Sequence, residues 1–400
     1  AVTGDATSPL FKVEEGGKLD FTSAGASSYS TIETSGTAIE VAGGEVSIDT
    51  GKINATGDKP AITVGKDAEL TISGGKITGS NGQPAIDAAN GATVVIPEDS
   101  KAEIKSEGGN AAIDLAPGAS VQQGDNTITV APVEDESASN YVDNHGNIVL
   151  ESGSEDGKVA PNTVIQPDGT AISGKNDLPT VDSEGNVTVP EGGATITNPE
   201  GDKVEVDSDT EIPSIVIGVK DAETGKVETS KSIKLGGGTL TLETAVFDSE
   251  INFDEYTCTS VTSNPANIVT TELQENGTVL VTPVSTGTAT ITATYAKDNG
   301  AAEGIALLDE GEATADDTLT ATFNVTVENE SSGGGGGGGS SSSTTYAISV
   351  EDSKNGSVSV SPKRAEKGDT VTITVKPDTG YELDELTVTD KNGDKIKLTE

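Results

Sequence analysis

The chain is poor in the side chains that build reactive sites and large cores. Its 400 residues include no methionine or tryptophan, one cysteine, one histidine and 3% aromatic residues. Cys258 has no partner for an intrachain disulfide, and His145 has no second histidine with which to bind a metal. Because only 32% of the residues are apolar, we expect several thin, elongated modules rather than one large core.

Basic residues and long apolar runs are also scarce. The chain has 66 acidic against 24 basic residues, which gives a formal charge of −42 at pH 7. Such a surface repels nucleic acid and anionic membranes, so neither is an expected partner. No apolar run has the length of a membrane-spanning helix. The chain begins at Ala1 without methionine or a signal segment, so either a signal was removed or the sequence is a fragment. We predict a secreted protein whose acidity keeps it soluble.

A repeat fills the stretch from Gly36 to Val121. An Ala-Ile pair recurs at steps of 23, 24 and 27 residues, and a polar turn and a second apolar segment follow each pair. The pairs are Ala38-Ile39, Ala61-Ile62, Ala85-Ile86 and Ala112-Ile113, and the later segments are Val46/Ile48, Leu70/Ile72, Val94/Ile96 and Val121. An earlier copy, Phe11/Val13 with Leu19/Phe21, brings the predicted number of coils to about five.

The spacing favours stacked coils, because alternate residues of a strand point to opposite faces. Coils stacked at about 4.8 Å would turn the aliphatic residues into buried columns. The run Ile72-Ser73-Gly74-Gly75-Lys76-Ile77 resembles right-handed parallel β-helix repeats. An antiparallel β-sandwich with evenly spaced hairpins is the alternative. A calcium-binding nonapeptide solenoid is excluded, since neither Gly43-Gly44 nor Gly74-Gly75 continues into Gly-x-Asp.

The predicted modules follow one another along the chain. Residues 1–126 form the parallel β-helix, and residues 127–213 form either irregular further coils or a row of hairpins. Residues 214–330 resemble group-two bacterial immunoglobulin-like (Ig-like) domains, although the usual tryptophan is missing and an acidic insertion, Asp298 to Asp317, separates the last two strands. The residues that carry this resemblance are Leu235-Gly236-Gly237-Gly238-Thr239-Leu240, Thr262-Ser263-Asn264-Pro265, Asn276-Gly277-Thr278-Val279, Ser285-Thr286-Gly287-Thr288-Ala289 and Phe323-Asn324-Val325-Thr326-Val327.

The last two segments differ sharply in composition. Residues 331–345 contain only Gly, Ser and Thr and are expected to act as a flexible linker. Residues 346–400 resemble the internalin B-type repeat, a small β-grasp-like module, through Asn355-Gly356-Ser357-Val358, Lys367-Gly368-Asp369-Thr370-Val371 and Gly380-Tyr381-Glu382-Leu383. The final strands of that repeat are missing, so we expect the natural protein to continue past Glu400, with any envelope anchor outside this chain.

The β-helix raises the question of polysaccharide lyase or hydrolase activity. Such enzymes use a basic residue near carboxylates, or clustered carboxylates with a histidine. The only arginine, Arg364, lies in the C-terminal repeat, and His145 follows the coils in a predicted turn. Lys52 and Lys76 occupy equivalent positions of neighbouring coils, which favours an exposed, charge-balancing ladder beside Glu45 and Glu69. We therefore predict no enzyme activity, with no catalytic, cofactor-binding or metal-binding residues.

Two acidic stretches leave open whether the chain binds calcium. The insertion residues Asp309, Glu310, Glu312, Asp316 and Asp317 are the better candidates, although a solvated loop is the simpler expectation. Asp390 to Asp394 lacks the distal glutamate of a calcium loop and favours a hairpin turn.

These observations predict an all-β protein: an N-terminal β-helix, an Ig-like sandwich, a Gly/Ser linker and a small C-terminal repeat. The resemblances imply a secreted, wall-associated protein of a Gram-positive bacterium. We expect a noncatalytic adhesin or stalk that binds a surface glycan or protein and does not insert into membranes. A carbohydrate-binding protein is the first alternative, and a degenerate polysaccharide-active enzyme is the second.

Overall fold

The computed structural model describes most of the first 330 residues and short parts of the last 70. The described residues are 2–4, 8–22, 30–124, 126–132, 138–208, 212–248, 251–297, 318–329, 346–348, 356–361, 364–365, 371–377 and 386–388. The fold is all-β. It divides into two compact units, Ala1–Glu330 and Ser331–Glu400.

The N-terminal part is a β-solenoid with three short strands in each coil. The strands are β1 Val2–Gly4, β2 Phe11–Glu14, β3 Lys18–Phe21, β4 Thr31–Thr34, β5 Ile39–Ala42, β6 Glu45–Ile48, β7 Lys52–Ala55, β8 Ile62–Val64, β9 Glu69–Ile72, β10 Lys76–Gly79, β11 Ile86–Ala88, β12 Thr93–Ile96, β13 Glu103–Ser106, β14 Ala111–Leu115, β15 Ser120–Gln123 and β16 Asn126–Thr129. Sheet A contains β1, β4, β7, β10 and β13, sheet B begins with β2, β5, β8, β11 and β14, and sheet C contains β3, β6, β9, β12, β15 and β16. Four complete coils run from β2 to β13, and β14 and β15 begin a fifth.

The predicted aliphatic columns are confirmed. Ile39, Ile62, Ile86 and Ile113 face one another across four neighbouring parallel strands of sheet B, and each is fully buried. The two aliphatic segments of the repeat account for sheets B and C. Sheet A supplies a third column, in which Ile32, Ile53 and Ile77 are in register.

The two glycines at a coil corner have different reasons to be glycine. Gly43 and Gly75 have φ of +97° and +87°, a region that other residues rarely adopt. Gly44 and Gly74 have no such φ, but a Cβ on Gly74 would lie 2.3 Å from the carbonyl oxygen of Asp49 in the previous coil. Tight stacking of coils therefore excludes a side chain there.

Residues 140–206 form a row of hairpins, which decides between the two alternatives for this stretch. The strands are β17 Asn140–Asp143, β18 Ile148–Leu150, β19 Thr163–Ile165, β20 Ala171–Gly174, β21 Thr180–Val181, β22 Val187–Thr188, β23 Ala194–Thr197 and β24 Lys203–Val206. Strand β17 pairs antiparallel with β14, and β18, β19, β20, β23 and β24 follow. Sheet B thus changes from parallel to antiparallel and continues through 11 strands.

The described strands between Ile215 and Glu328 form two sheets around a common core. The strands are β25 Ile215–Lys220, β26 Val227–Glu228, β27 Ser230–Lys234, β28 Leu240–Val246, β29 Tyr256–Asn264, β30 Val269–Leu273, β31 Val279–Pro283, β32 Gly287–Lys297 and β33 Thr318–Glu328, with a 3₁₀ turn at Phe253–Glu255. One sheet has the order β26-β25-β28-β31-β30 and the other β27-β33-β32-β29. This sandwich is consistent with the predicted Ig-like domain. The C-terminal unit contains β34 Tyr346–Ala347, β35 Gly356–Ser361, β36 Arg364–Ala365 and β37 Thr372–Pro377.

A third apolar cluster joins the hairpins to the sandwich, across the predicted boundary between residues 213 and 214. Ile172, Ile196 and Val204 from the hairpins pack there with Val216 and Phe247 from the sandwich. The contact also includes a hydrogen bond of 2.8 Å from the Asn198 side-chain amide to the Val246 carbonyl. The solenoid, the hairpins and the sandwich therefore share a series of packed interfaces.

Candidate functional site

The clearest polar row on the solenoid lies on the outer face of sheet B. Glu40, Thr63, Asp87 and Asp114 are neighbours on successive strands, and we call these four residues the carboxylate ladder. Each follows the isoleucine of an Ala-Ile pair, so it points outward where the isoleucine points inward. The sequence repeat contains this signal at the position after each Ala-Ile pair.

Two members of the carboxylate ladder, Asp87 and Asp114, have raised pKa values. Partial burial raises the pKa of the Asp87 carboxyl group. Burial also raises the pKa of Asp114, the charge on Asp87 raises it further, and a hydrogen bond from the Leu115 backbone N–H opposes the change. The common cause is that adjacent coils place like charges side by side while the sheet removes part of their solvent.

A shallow cavity of about 200 Å³ lies along this row. Glu40, Thr63 and Asp87 line it together with backbone and small side chains of the corners at Ala42, Gly65 and Ala89. The carboxylates and the hydroxyl that border this cavity can accept hydrogen bonds from a hydroxylated ligand. Within the described residues, no group of three or more His, Cys, Asp or Glu side chains has the geometry of a metal site.

The lysines that the sequence offered as possible bases belong to sheet A. Lys52 and Lys76 are in register on β7 and β10, as their spacing predicts. The Lys76 ammonium lies 3.0 Å from the Glu103 carboxylate, which lowers the pKa of Glu103. Glu45 and Glu69 are instead paired on sheet C, where Glu45 forms an ion pair with Lys18. The expected neighbourhood of these lysines and glutamates was therefore wrong, because the lysines lie on the third strand of each coil, in sheet A, and the glutamates on the second strand, in sheet C.

His145 lies in the turn between β17 and β18, as predicted. The Asp143 carboxylate accepts hydrogen bonds from the backbone N–H groups of His145 and Asn147 at 2.7 and 2.9 Å. The imidazole packs against a second turn, because a Cβ on Gly185 would lie 2.7 Å from its Cγ. The neighbouring Asn144 amide accepts from Ser106 N–H at 2.7 Å and donates to Ser106 C=O at 3.2 Å. This turn therefore covers the last strand of sheet A.

The other residues that the sequence singled out are Cys258, Arg364 and the two acidic stretches. Cys258 is a free thiol, half-buried at the margin of the sandwich core. Burial raises its pKa, which disfavours the reactive thiolate. The backbone of Arg364 pairs with Ala347 in the C-terminal unit. The acidic insertion and the Asp390–Asp394 run lie outside the described residues.

The chain is thus an all-β protein with an N-terminal β-solenoid. Comparison with known protein families gives a match in the C-terminal part of the chain. Residues 346–399 match the family model of the divergent InlB B-repeat domain, which agrees with the resemblance seen in the sequence. Comparison with curated proteins gives no match, and comparison with solved structures gives none either. In the described part of the chain, no helix has the length and apolar character needed to cross a bilayer.

Proposed function

We propose that this chain is a noncatalytic bacterial surface protein, an adhesin or stalk that holds its solenoid away from a Gram-positive envelope. The observation that carries the proposal is the unbroken series of packed interfaces from the solenoid to the sandwich, within the compact unit Ala1–Glu330. The match of residues 346–399 to a repeat typical of bacterial surface proteins supports the location.

The physical basis of display is that the modules support one another. Solenoid strands inside the three sheets are held by backbone ladders to the coils above and below them, and sheet B extends this ladder into the hairpins. The hairpins then share a core with the sandwich. A module held on both sides can keep its position relative to its neighbour, whereas a linker of glycine and serine cannot.

Location can be tested on intact cells of the source bacterium. An antibody against residues 1–330 should label unbroken cells, and external protease should remove the label. Labelling that appears only after lysis would contradict the surface role. A cytoplasmic protein labelled in parallel verifies that the cells were intact.

The absence of catalysis is part of the proposal and has a direct assay. Lys76 is engaged with Glu103, and the imidazole of His145 packs against Gly185, so neither is presented as a free base to a ligand on sheet B. The full chain, incubated with pectins and neutral polysaccharides, should release neither unsaturated products nor reducing ends. Turnover that disappears in Asp87→Asn would instead favour a polysaccharide-active enzyme.

Carbohydrate binding by the solenoid is the second candidate, and the cavity along the carboxylate ladder favours it. A glycan array probed with the full chain should then show binding that Asp87→Asn with Asp114→Asn weakens about tenfold, since both carboxylates would lose acceptor strength. The matched control is Asp20→Asn with Glu69→Gln, two exposed carboxylates on sheet C. Equal effects in both variants would show that bulk charge, and not the ladder, controls binding.

A further inference from the structure

The outer face of the four-stranded sheet of the sandwich is rich in hydroxyl groups. Strand β32 presents Thr288, Thr290, Thr292 and Thr294 outward, while Ala289, Ile291, Ala293 and Tyr295 enter the core. Strand β33 places its outward residues from Thr320 to Thr326 directly opposite. We call the outward side chains of β32 from Thr288 to Thr294 and of β33 from Thr320 to Thr326 the threonine face. Thr262 and Asn264 of β29 extend it on one side.

The threonine face has no charge, although 22% of the chain is charged. Among the described residues of this sheet, the ion pair on the outer side lies at one end of the face, between Lys234 and Glu328. High β-propensity explains why threonine is used in strands. It does not explain the missing charge, because the opposite sheet exposes Glu243 and Glu272 on its outer face.

The hydroxyl groups form a regular, partly fixed array. Thr288 and Thr326 hydroxyls lie 3.2 Å apart, and the Thr290 hydroxyl donates to the Asn324 side-chain carbonyl at 2.9 Å. These bonds orient the side chains and leave acceptor positions open to an outside ligand. Sheet geometry repeats the groups at about 4.8 Å across strands and about 6.8 Å along them.

We propose that the threonine face binds a neutral, hydroxyl-rich polysaccharide lying along the sheet. The chain's charge of −42 repels a polyanion. Burying the carboxylates of an anionic polymer against the face would also cost more desolvation energy than burying the hydroxyl groups of a neutral one. One hydrogen bond of this kind contributes only about 1 kcal/mol. A polymer with the same hydroxyl pattern in every unit can make many such bonds at once. The sandwich is then a binding module as well as a spacer.

Affinity electrophoresis of the full chain tests this proposal. Native gels containing mannan, dextran or mixed-linkage β-glucan provide the neutral probes, and polygalacturonate is the anionic comparison. At least one neutral polymer should retard the chain, whereas polygalacturonate should not. Thr292→Val with Thr322→Val removes two facing hydroxyls and keeps side-chain shape, and should weaken retardation at least fivefold.

The matched control is Thr270→Val with Thr282→Val, an exposed facing pair on the opposite sheet, which should leave retardation unchanged. No retardation by any neutral polymer, or equal weakening in both variants, would overturn the proposal. Sedimentation velocity without polymer supplies a further check, because a dimer of the parent chain that Thr292→Val with Thr322→Val dissociates would make a second copy the occupant instead. The display role does not depend on any of these results.

Discussion

The solenoid and the region that connects it to the sandwich use the two faces of a β-strand differently. We call this region, the hairpins of residues 140–206 together with β25, the junction. In the solenoid, a strand such as β8 buries Ile62 and Val64 and leaves Thr63 half-exposed between them. In the junction, all three residues of β18 and of β19 are buried, and so are the first four of β25. A strand of the first kind faces one core, whereas β25 lies between two cores and belongs to both.

The junction therefore connects cores in series. On β18, Ile148 and Leu150 extend the solenoid core. On β25, Val216 faces the hairpins while Ile215 and Ile217 face the sandwich core. Damage to one core should reach its neighbour through a shared sheet, and the following substitutions test how far this holds.

The largest effect is expected at the centre of a solenoid column. Ile62→Ala should lower the free energy of unfolding by about 3 kcal/mol, because the lost methyl groups leave a cavity between Ile39 and Ile86 that the stacked coils cannot close. Urea unfolding followed by circular dichroism measures it. Thr63→Ala on the same strand is the control and should cost well under 1 kcal/mol. Similar losses in both would show that the column is not tightly packed.

The sequence was sufficient to predict these columns, because each Ala-Ile pair recurs at nearly constant spacing and alternation assigns the buried face. It did not predict the third strand of each coil as part of the repeat, since the corner before that strand has three residues ahead of Lys52 and of Lys76 but six ahead of Glu103. That omission is why Lys76 was expected near Glu45 and Glu69 and lies instead beside Glu103.

A smaller loss is expected where a strand serves two cores. Val216→Ala should destabilise unit Ala1–Glu330 by about 2 kcal/mol, because Val216 is 5% exposed and packs between the hairpins and the sandwich. Val219→Ala, a half-buried position of the same strand, should cost less than half as much. A two-step unfolding curve in the parent chain would contradict the serial connection and would assign each core its own transition.

The double burial of the junction was harder to predict than the columns. Ile148-Val149-Leu150 and Ile215-Val216-Ile217 are continuous apolar runs, which favour burial on both faces. Nothing local shows which segment covers the second face, because Val216 meets Ile172 and Ile196 only through tertiary packing. The carboxylate ladder could have been predicted from the sequence, since Asp87 and Asp114 occupy equivalent positions in two coils.

The ion pair at the junction should contribute less than its apolar contacts. Lys220 lies 2.6 Å from Asp202, whose side chain is 9% exposed, and this hydrogen bond raises the pKa of Lys220. Lys220→Ala leaves the Asp202 carboxylate with no opposite charge and should cost about 1 kcal/mol, reduced by solvent around the lysine. Lys231→Ala breaks the exposed pair with Glu228 and should have no measurable effect. Equal losses of unfolding free energy in the two variants would mean that the burial of Asp202 does not strengthen its ion pair with Lys220.

The smallest effect concerns the carboxylate ladder and has the opposite sign. The pKa of Asp87 is raised in the folded chain, so its ionised form weakens folding at neutral pH. Stability from this group falls as pH rises from the unfolded pKa, about 3.9, through the higher folded pKa. Asp87→Asn should therefore raise stability at pH 7 by less than about 1 kcal/mol, also lessening repulsion with Asp114, and the gain should vanish below about pH 3.9. Thermal unfolding of both proteins across this range measures the difference, and Asp20→Asn on sheet C should show no such gain. A gain that grows toward low pH would reverse the assigned sign and remove the evidence that the sheet excludes solvent from this carboxyl group.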